Sequence, residues 1–365
     1  MFTMFMKRPA PPHLTNAGFM KSKLEYLWPF VGLAAVTFSI YLLSRELRDV
    51  HLADIWQAML DRGFVMFLFC VASTLLAYAA LAWYDRIALM HVGKKLSWPV
   101  VSLVSFTAYA LGHNIGVSVL SSGVVRYRAY SRMGLNVAEV AIVTAFCAFT
   151  FAYGAIFLGG LVLVGEPGLL SRLIEFPTTI ALLIGVGMLA FVALYQVGAL
   201  LGLRPLHFRS FTLSYPRAPI AFRQLFAAPI EIIGAAAIIY FALPDYLNPG
   251  YFAVLGIFLA SFCAGLVVQA PGGIGVFEFF FLKAILTPEM LNAPDVGLMK
   301  AQILAALVMF RLLYLLIPLA LSCAVVLHFE RDALFGAIRA ALGWRRNDEA
   351  VPLPVEVEHD QTPRH

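Results

Sequence analysis

The sequence predicts an all-α, polytopic integral membrane protein with two re-entrant broken-helix hairpins in an inverted-repeat arrangement, and three observations carry this reading. Hydrophobic residues make up 61% of the 365 and charged residues 13%, with a mean hydropathy of +0.84. That balance lies far outside a soluble globular domain and excludes soluble enzyme folds. Apolar runs recur at the length of roughly 20 residues that a helix needs to cross hydrocarbon, and about six of them are uninterrupted. Two others are broken by glycine-rich stretches, GHNIG (residues 112–116) and PGGIG (residues 271–275).

Along the chain, 1–24 reads as a cytoplasmic segment, 25–329 as the membrane domain and 330–365 as a cytoplasmic polar tail, disordered at its end. Lys7, Arg8, Lys21 and Lys23 precede the run Leu27–Leu43 in the layout of a signal peptide. The run is long for a signal core and LLSRELRD offers no small-residue cleavage site, so it is read as a retained first span. Five full spans follow at Phe64–Tyr84, Val137–Gly165, Phe176–Gly198, Leu225–Leu243 and Lys300–His328.

The interrupted regions begin at Trp98 and Tyr251. If each crossed once, Arg126, Arg128 and Arg132, then Arg204, Arg209, Arg217 and Arg223, would lie outside, against the enrichment of Lys and Arg in cytoplasmic loops. If each enters and returns to the same face, these arginines become cytoplasmic together with Arg331, Arg339, Arg345 and Arg346. The loop with Arg45, Arg48 and Arg62 is the exception and stays outside. The first hairpin then enters from the cytoplasm and the second from the outside. Opposed, interrupted segments in the two halves of a chain are the pattern of transporters whose substrate meets half-helix ends near the midplane. Two kinked spans are the plainer alternative.

Backbone amides freed at PGGIG cannot face lipid, so this break must pack in protein or line a wet cavity. Gly272, Gly273 and Gly275 allow close backbone approach, Pro271 ends the incoming helix, and Val276 opens a new one. Glu278 falls in its first turn, where the helix dipole favours a carboxylate; it is either a cap or a buried anion facing a cation. Arg311 lies about 16 Å along a helix that begins near Lys300, too deep to reach water. An ion pair with Glu278 or Glu231, or a held substrate phosphate, accounts for it.

In SSGVVRYRAYSR (residues 121–132), Arg128 and Arg132 share a helical face and Arg126 points elsewhere. Guanidinium forks suit phosphate oxygens, and Tyr127 and Tyr130 suit a headgroup boundary; a solvated cytoplasmic connection is the plainer reading. His113 and Asn114 are placed to close the first hairpin tip by hydrogen bonds, and a proton relay is the other role open to His113.

Net charge is +5, read as a topology signal and an attraction to anionic lipid heads rather than to nucleic acid. Cys70, Cys147, Cys263 and Cys323 all sit in apolar runs without a CxxC pair or histidine cluster, so they read as core residues rather than disulfides or metal ligands. There is no HExxH, GxSxG or Walker sequence, and no cofactor or metal is implied.

The stretch YALGHNIGVSVLSSGVVRYRAYSRMGL (Tyr109 to Leu135), followed by FCAFTFAYG and later PGGIGVFE, resembles the transmembrane flippase domain of the multiple peptide resistance factor family. These are bacterial lysylphosphatidylglycerol synthases and flippases, and the wider YbhN-like membrane family shares the domain. The resemblance covers most of Leu27 to His328. It implies translocation of an anionic or aminoacylated phospholipid such as lysylphosphatidylglycerol across the inner membrane, with resistance to cationic peptides as the result. It carries over Arg126, Arg128, Gly272, Gly273, Gly275 and Glu278. Ser122 stands where the family pattern has glycine, and the tail ending VPLPVEVEHDQTPRH stands where full-length members carry a soluble aminoacyl-transferase domain. The partners admitted are the membrane, a phospholipid substrate, a separately encoded aminoacyl-transferase and a second copy of the chain. The alternatives are a membrane subunit of a lipid-modifying transferase and a structural membrane protein without transport.

Overall fold

Among the described residues, five helical stretches are long and apolar enough to cross a membrane: Gly63–His91, Val137–Gly165, Thr178–Leu200, Ala218–Ala242 and Val296–His328. They answer, in order, to the five full spans expected after the first. The computed structural model describes residues 52–115, 118–202, 206–208, 211–213, 215–268 and 276–328. The expected span Leu27–Leu43, the glycines Gly272, Gly273 and Gly275, and the tail 330–365 lie outside the described residues. The chain divides into two units, Ala34–Val326 and Met1–Leu33 with Leu327–His365; the architecture below is that of the first.

Its helices are α1 (Leu52–His91), α2 (Trp98–Ile115), α3 (Ser118–Ser131), α4 (Val137–Gly165), α5 (Gly168–Ile174), α6 (Thr178–Leu200), α7 (Ala218–Ala242), α8 (Tyr251–Val268), α9 (Val276–Ile285), α10 (Pro288–Leu291) and α11 (Val296–His328). Local chemistry sets several ends. Gly63, at φ 77°, interrupts α1 where its apolar run begins. Asn136 and Glu139 form a capping box at the start of α4, each side chain bonding the other's backbone amide at 2.9 Å. A two-stranded antiparallel ribbon, Leu206–Phe208 with Phe211–Leu213, precedes α7 and was not expected in an all-helical chain.

Helix α7 is the central element. It packs antiparallel to α1: Cys70 Sγ bonds the Ile238 carbonyl at 3.4 Å near one end, and the Tyr84 hydroxyl bonds the Ala228 carbonyl at 3.1 Å near the other. Between them a Cβ on Gly234 would lie 2.9 Å from the Ser73 carbonyl oxygen, so only glycine lets these two backbones approach so closely. It packs parallel to α4, since Gln224 bonds Thr150 at 2.8 Å and Gly154 faces Ala228. A Cβ on Gly154 would meet that of Ala228 at 2.5 Å. Helix α11 is antiparallel to α7, because Tyr314 bonds Glu231 while Gln302, nearer the start of α11, is bonded by Tyr246 just beyond the end of α7.

These registers decide the topology. Because α4 runs opposite to α1, residues 92–136 return to the side on which α1 ends. Because α11 runs opposite to α7, residues 243–295 return to the side on which α7 ends. Helices α2 and α3 pack against each other, as do α8 and α9, so each interrupted region is a helical hairpin rather than a kinked crossing. The hairpins enter from opposite sides, and the arginine-rich side is that of the first.

The first break falls later than expected. Gly112, His113, Asn114 and Ile115 continue α2, and α3 runs through Ser122 without interruption. Residues 112–115 stay helical here because Asn114 finds partners within the bundle: its Nδ2 donates to the Ala110 carbonyl at 2.8 Å and to that of Leu315 at 3.2 Å. Asn114 thus ties the first hairpin to α11, while the tip of that hairpin lies outside the described residues. Residues Arg311–Leu316 of α11 form a π-helical turn. Such a bulge loosens the regular ladder, and side chains from two other helices meet its carbonyls: Tyr78 donates to that of Tyr314 at 2.9 Å and Asn114 to that of Leu315.

Candidate functional site

Both hairpins converge on this π turn. From the first, the His113 ring stacks on Tyr314, with centroids 5.5 Å apart and planes at 20°. From the second, Phe277 stacks on Phe310 at 5.7 Å and 13°, and Phe310 stacks on Tyr314 at 5.2 Å and 17°. Four nearly parallel rings therefore run from one hairpin to the other. Beside them Arg311 donates to Glu278 Oε1 through Nε at 2.9 Å and also through Nη2. Of the two carboxylates weighed for Arg311, the geometry selects Glu278, which α9 presents from its first turn.

Glu231, on the buried face of α7, is held by tyrosines. Tyr314 donates to its Oε1, and the Tyr84 hydroxyl lies 3.4 Å from its Oε2. Tyr84 belongs to α1 and Tyr314 to α11, so this carboxyl joins three of the membrane-crossing helices.

A third carboxylate, Asp85, lies about 10 Å further along α1 than Tyr78. Arg126 grips it bidentately, Nε to Oδ2 at 2.9 Å and Nη2 to Oδ1 at 2.7 Å. Tyr130 donates to Oδ2 at 2.7 Å, and Cys147 lies 3.4 Å from Oδ1. The guanidinium carbon of Arg126 sits 4.7 Å from the centre of the Tyr109 ring, a cation–π contact. Arg126 was expected to meet lipid phosphate. It is instead 1% exposed and bound to a carboxylate of the scaffold, which is the physical reason to withdraw it from the phosphate ligands. Asp85 escaped the sequence reading because the expected span stopped at Tyr84. The signal was present, since a carboxylate inside the apolar run LAWYDRIALM requires a partner if the helix continues.

The other predicted residues spread outward. Arg128 is half-buried and Arg132 exposed, one turn apart near the end of α3. His113 and Asn114 lie at the convergence, and the glycines of PGGIG lie outside the described residues. Among the described residues no group of three or more metal-ligating side chains is gathered. The arrangement suits holding and exchanging charge in a low-dielectric interior: buried ion pairs, tyrosine hydroxyls that donate to carboxyls, and half-buried arginine in the first hairpin.

No family model matches the chain. It is 31% identical to the inner membrane protein YbhN of Escherichia coli (strain K12) over 313 residues, which is 83% of this chain and 93% of that protein. It is 30% identical to an uncharacterized protein of Synechocystis sp. over 261 residues, 71% of this chain and 78% of the other. A phosphatidylglycerol lysyltransferase of Staphylococcus epidermidis is 31% identical over 94 residues, 26% of this chain and 10% of that enzyme. The likeness to YbhN runs through most of the fold, whereas the likeness to the lysyltransferase is confined to one segment.

Proposed function

This chain belongs to the YbhN family of inner membrane proteins and is a multi-pass protein of the inner membrane, and from that premise we propose that it moves a phospholipid headgroup, anionic or aminoacylated, between the leaflets. The observation that supports this most is the convergence of two oppositely entering hairpins on one π turn lined with ionisable groups. A charged headgroup crosses hydrocarbon only along groups that replace its water, and hydrocarbon-facing helices alone offer none.

In this reading Arg128 and Arg132 collect the phosphate at the cytoplasmic side, where their forks match its oxygens. The pair of Glu278 with Arg311 opens to the headgroup: Arg311 takes the phosphate and Glu278 the ammonium of an aminoacylated lipid. Gly272, Gly273 and Gly275, a few residues before Glu278 in the sequence, are proposed to contribute their amides to phosphate binding. The pair of Arg126 with Asp85 holds the first hairpin in place. The segment of likeness to a phosphatidylglycerol lysyltransferase favours an aminoacylated phosphatidylglycerol among lipid classes. It equally favours a second reading, in which this chain serves as membrane subunit to a separately encoded aminoacyl-transferase.

The test is reconstitution of the purified chain in liposomes carrying headgroup-labelled phosphatidylglycerol or its lysyl ester, with quenching by an impermeant reagent. Loss of inner-leaflet protection faster than in empty liposomes is expected; equal protection for every lipid would overturn the translocation reading. Arg128→Ala is expected to slow the loss without loss of folded protein.

A further inference from the structure

Asp85 and Glu278 each have an arginine, at 2.7 Å for Arg126 and through Arg311 Nε at 2.9 Å. Glu231, 3% exposed, has instead the hydroxyls of Tyr314 and Tyr84. An ionised carboxylate buried without a cation is far more costly than a buried neutral acid, and two tyrosine hydroxyls do not supply the missing charge.

The donor count points the same way. Tyr84 has one hydroxyl proton and two acceptors in reach, the Ala228 carbonyl at 3.1 Å and Glu231 Oε2 at 3.4 Å. If the nearer carbonyl takes it, Oε2 faces a hydroxyl lone pair, and a proton on Oε2 completes that contact as donor to Tyr84. Oε1 meanwhile accepts from Tyr314. The carboxylic acid thus satisfies both of its oxygens within the tyrosine pair.

We propose that Glu231 is a proton-binding site, loaded and unloaded as the headgroup passes. Unloading breaks the Oε2–H bond, the proton leaves to water, and the ammonium of an arriving headgroup takes over as countercharge. The reverse step restores the acid, with no redox chemistry. Among the described residues, the titratable groups that face Glu231 from the packed helices are Tyr78 and Tyr84 of α1 and Tyr314 of α11. Arg311 is bound to Glu278 and Arg126 to Asp85, so neither supplies a permanent cation there. The coupling to lipid rests on the translocation reading; the proton site does not.

Infrared difference spectroscopy of the protein in lipid nanodiscs tests the site directly. Wild type is expected to give a carboxylic-acid C=O band that is lost on raising pH, is missing in Glu231→Gln and is kept in Glu278→Gln. No such band at any pH, or its persistence in Glu231→Gln, would overturn the site. Should Glu231→Gln fail to fold, Tyr314→Phe removes the donor to Oε1 and is expected to shift the band; an unshifted band counts against the assignment. In liposomes with the labelled lysyl ester of phosphatidylglycerol, whose headgroup carries the ammonium, one proton exchanged per lipid biases the distribution about tenfold per unit of imposed pH gradient. Translocation insensitive to the gradient would overturn the coupling and leave translocation standing. A band without translocation would leave the proton site standing and sink the translocation reading.

Discussion

The first hairpin carries a cation to a carboxylate of the scaffold, and the second carries a carboxylate to a scaffold cation. Arg126 meets both oxygens of Asp85, with side chains 1% and 0% exposed, and Tyr130 adds a third bond. Glu278 meets Arg311 through Oε1, with side chains 19% and 8% exposed. Opening the first pair would strand two charges in a low dielectric, so it acts as an anchor. The second pair is wetter, so it loses less on opening and is the one suited to exchange partners. Two ion pairs of similar composition thus differ in role through burial and the number of bonds each makes.

The largest expected effect concerns the side from which each hairpin enters. With the native cysteines replaced, a cysteine at Arg128 is expected to react with an impermeant reagent only from the cytoplasmic side and one at Gly250 only from the other. Labelling of both from one side would put the two hairpins on the same face. Next in size is the anchor: Asp85→Ala should cost about 3–5 kcal/mol, because Arg126 is left buried without its carboxylate. Thermal unfolding in detergent measures this, and the double variant with Arg126→Met is expected to recover most of the loss; no recovery would mean that packing, not charge, is at stake.

A smaller stability loss is expected for the second pair. Glu278→Gln should cost about 1.5–3 kcal/mol, in the range of one charge-assisted hydrogen bond, while slowing headgroup movement well beyond that stability change. Unchanged movement in the liposome assay would return Glu278 to a capping role. Smallest is the pair of Lys94 with Glu139, 3.0 Å apart with side chains 35% and 24% exposed. Lys94→Ala is expected to leave the melting temperature unchanged within error, as solvent screens the contact.

Much of the frame was legible in the residues. Five expected spans fall on five observed helices, and the break at PGGIG correctly placed Glu278 in the first turn of a new helix. The position of two helix ends changed the chemistry. Ending a span at Tyr84 hid Asp85, and reading GHNIG as a loop missed that α2 carries His113 and Asn114 into the bundle. Arg126 was correctly set on a different face from Arg128, yet its partner could not be named from that face alone.

The sequence by itself determined that this chain crosses a membrane, where it does so, and that two segments interrupt the pattern, because hydropathy, length and backbone breakers are properties of a local window. Only the tertiary structure decided which charges meet. Asp85 and Arg126 are 41 residues apart, Glu278 and Arg311 are 33 apart, and Glu231 and Tyr314 are 83 apart. Such pairs form when helices close-packed at Gly154 and Gly234 bring side chains to one height and one face, and that register belongs to the packing of the bundle rather than to any single helix.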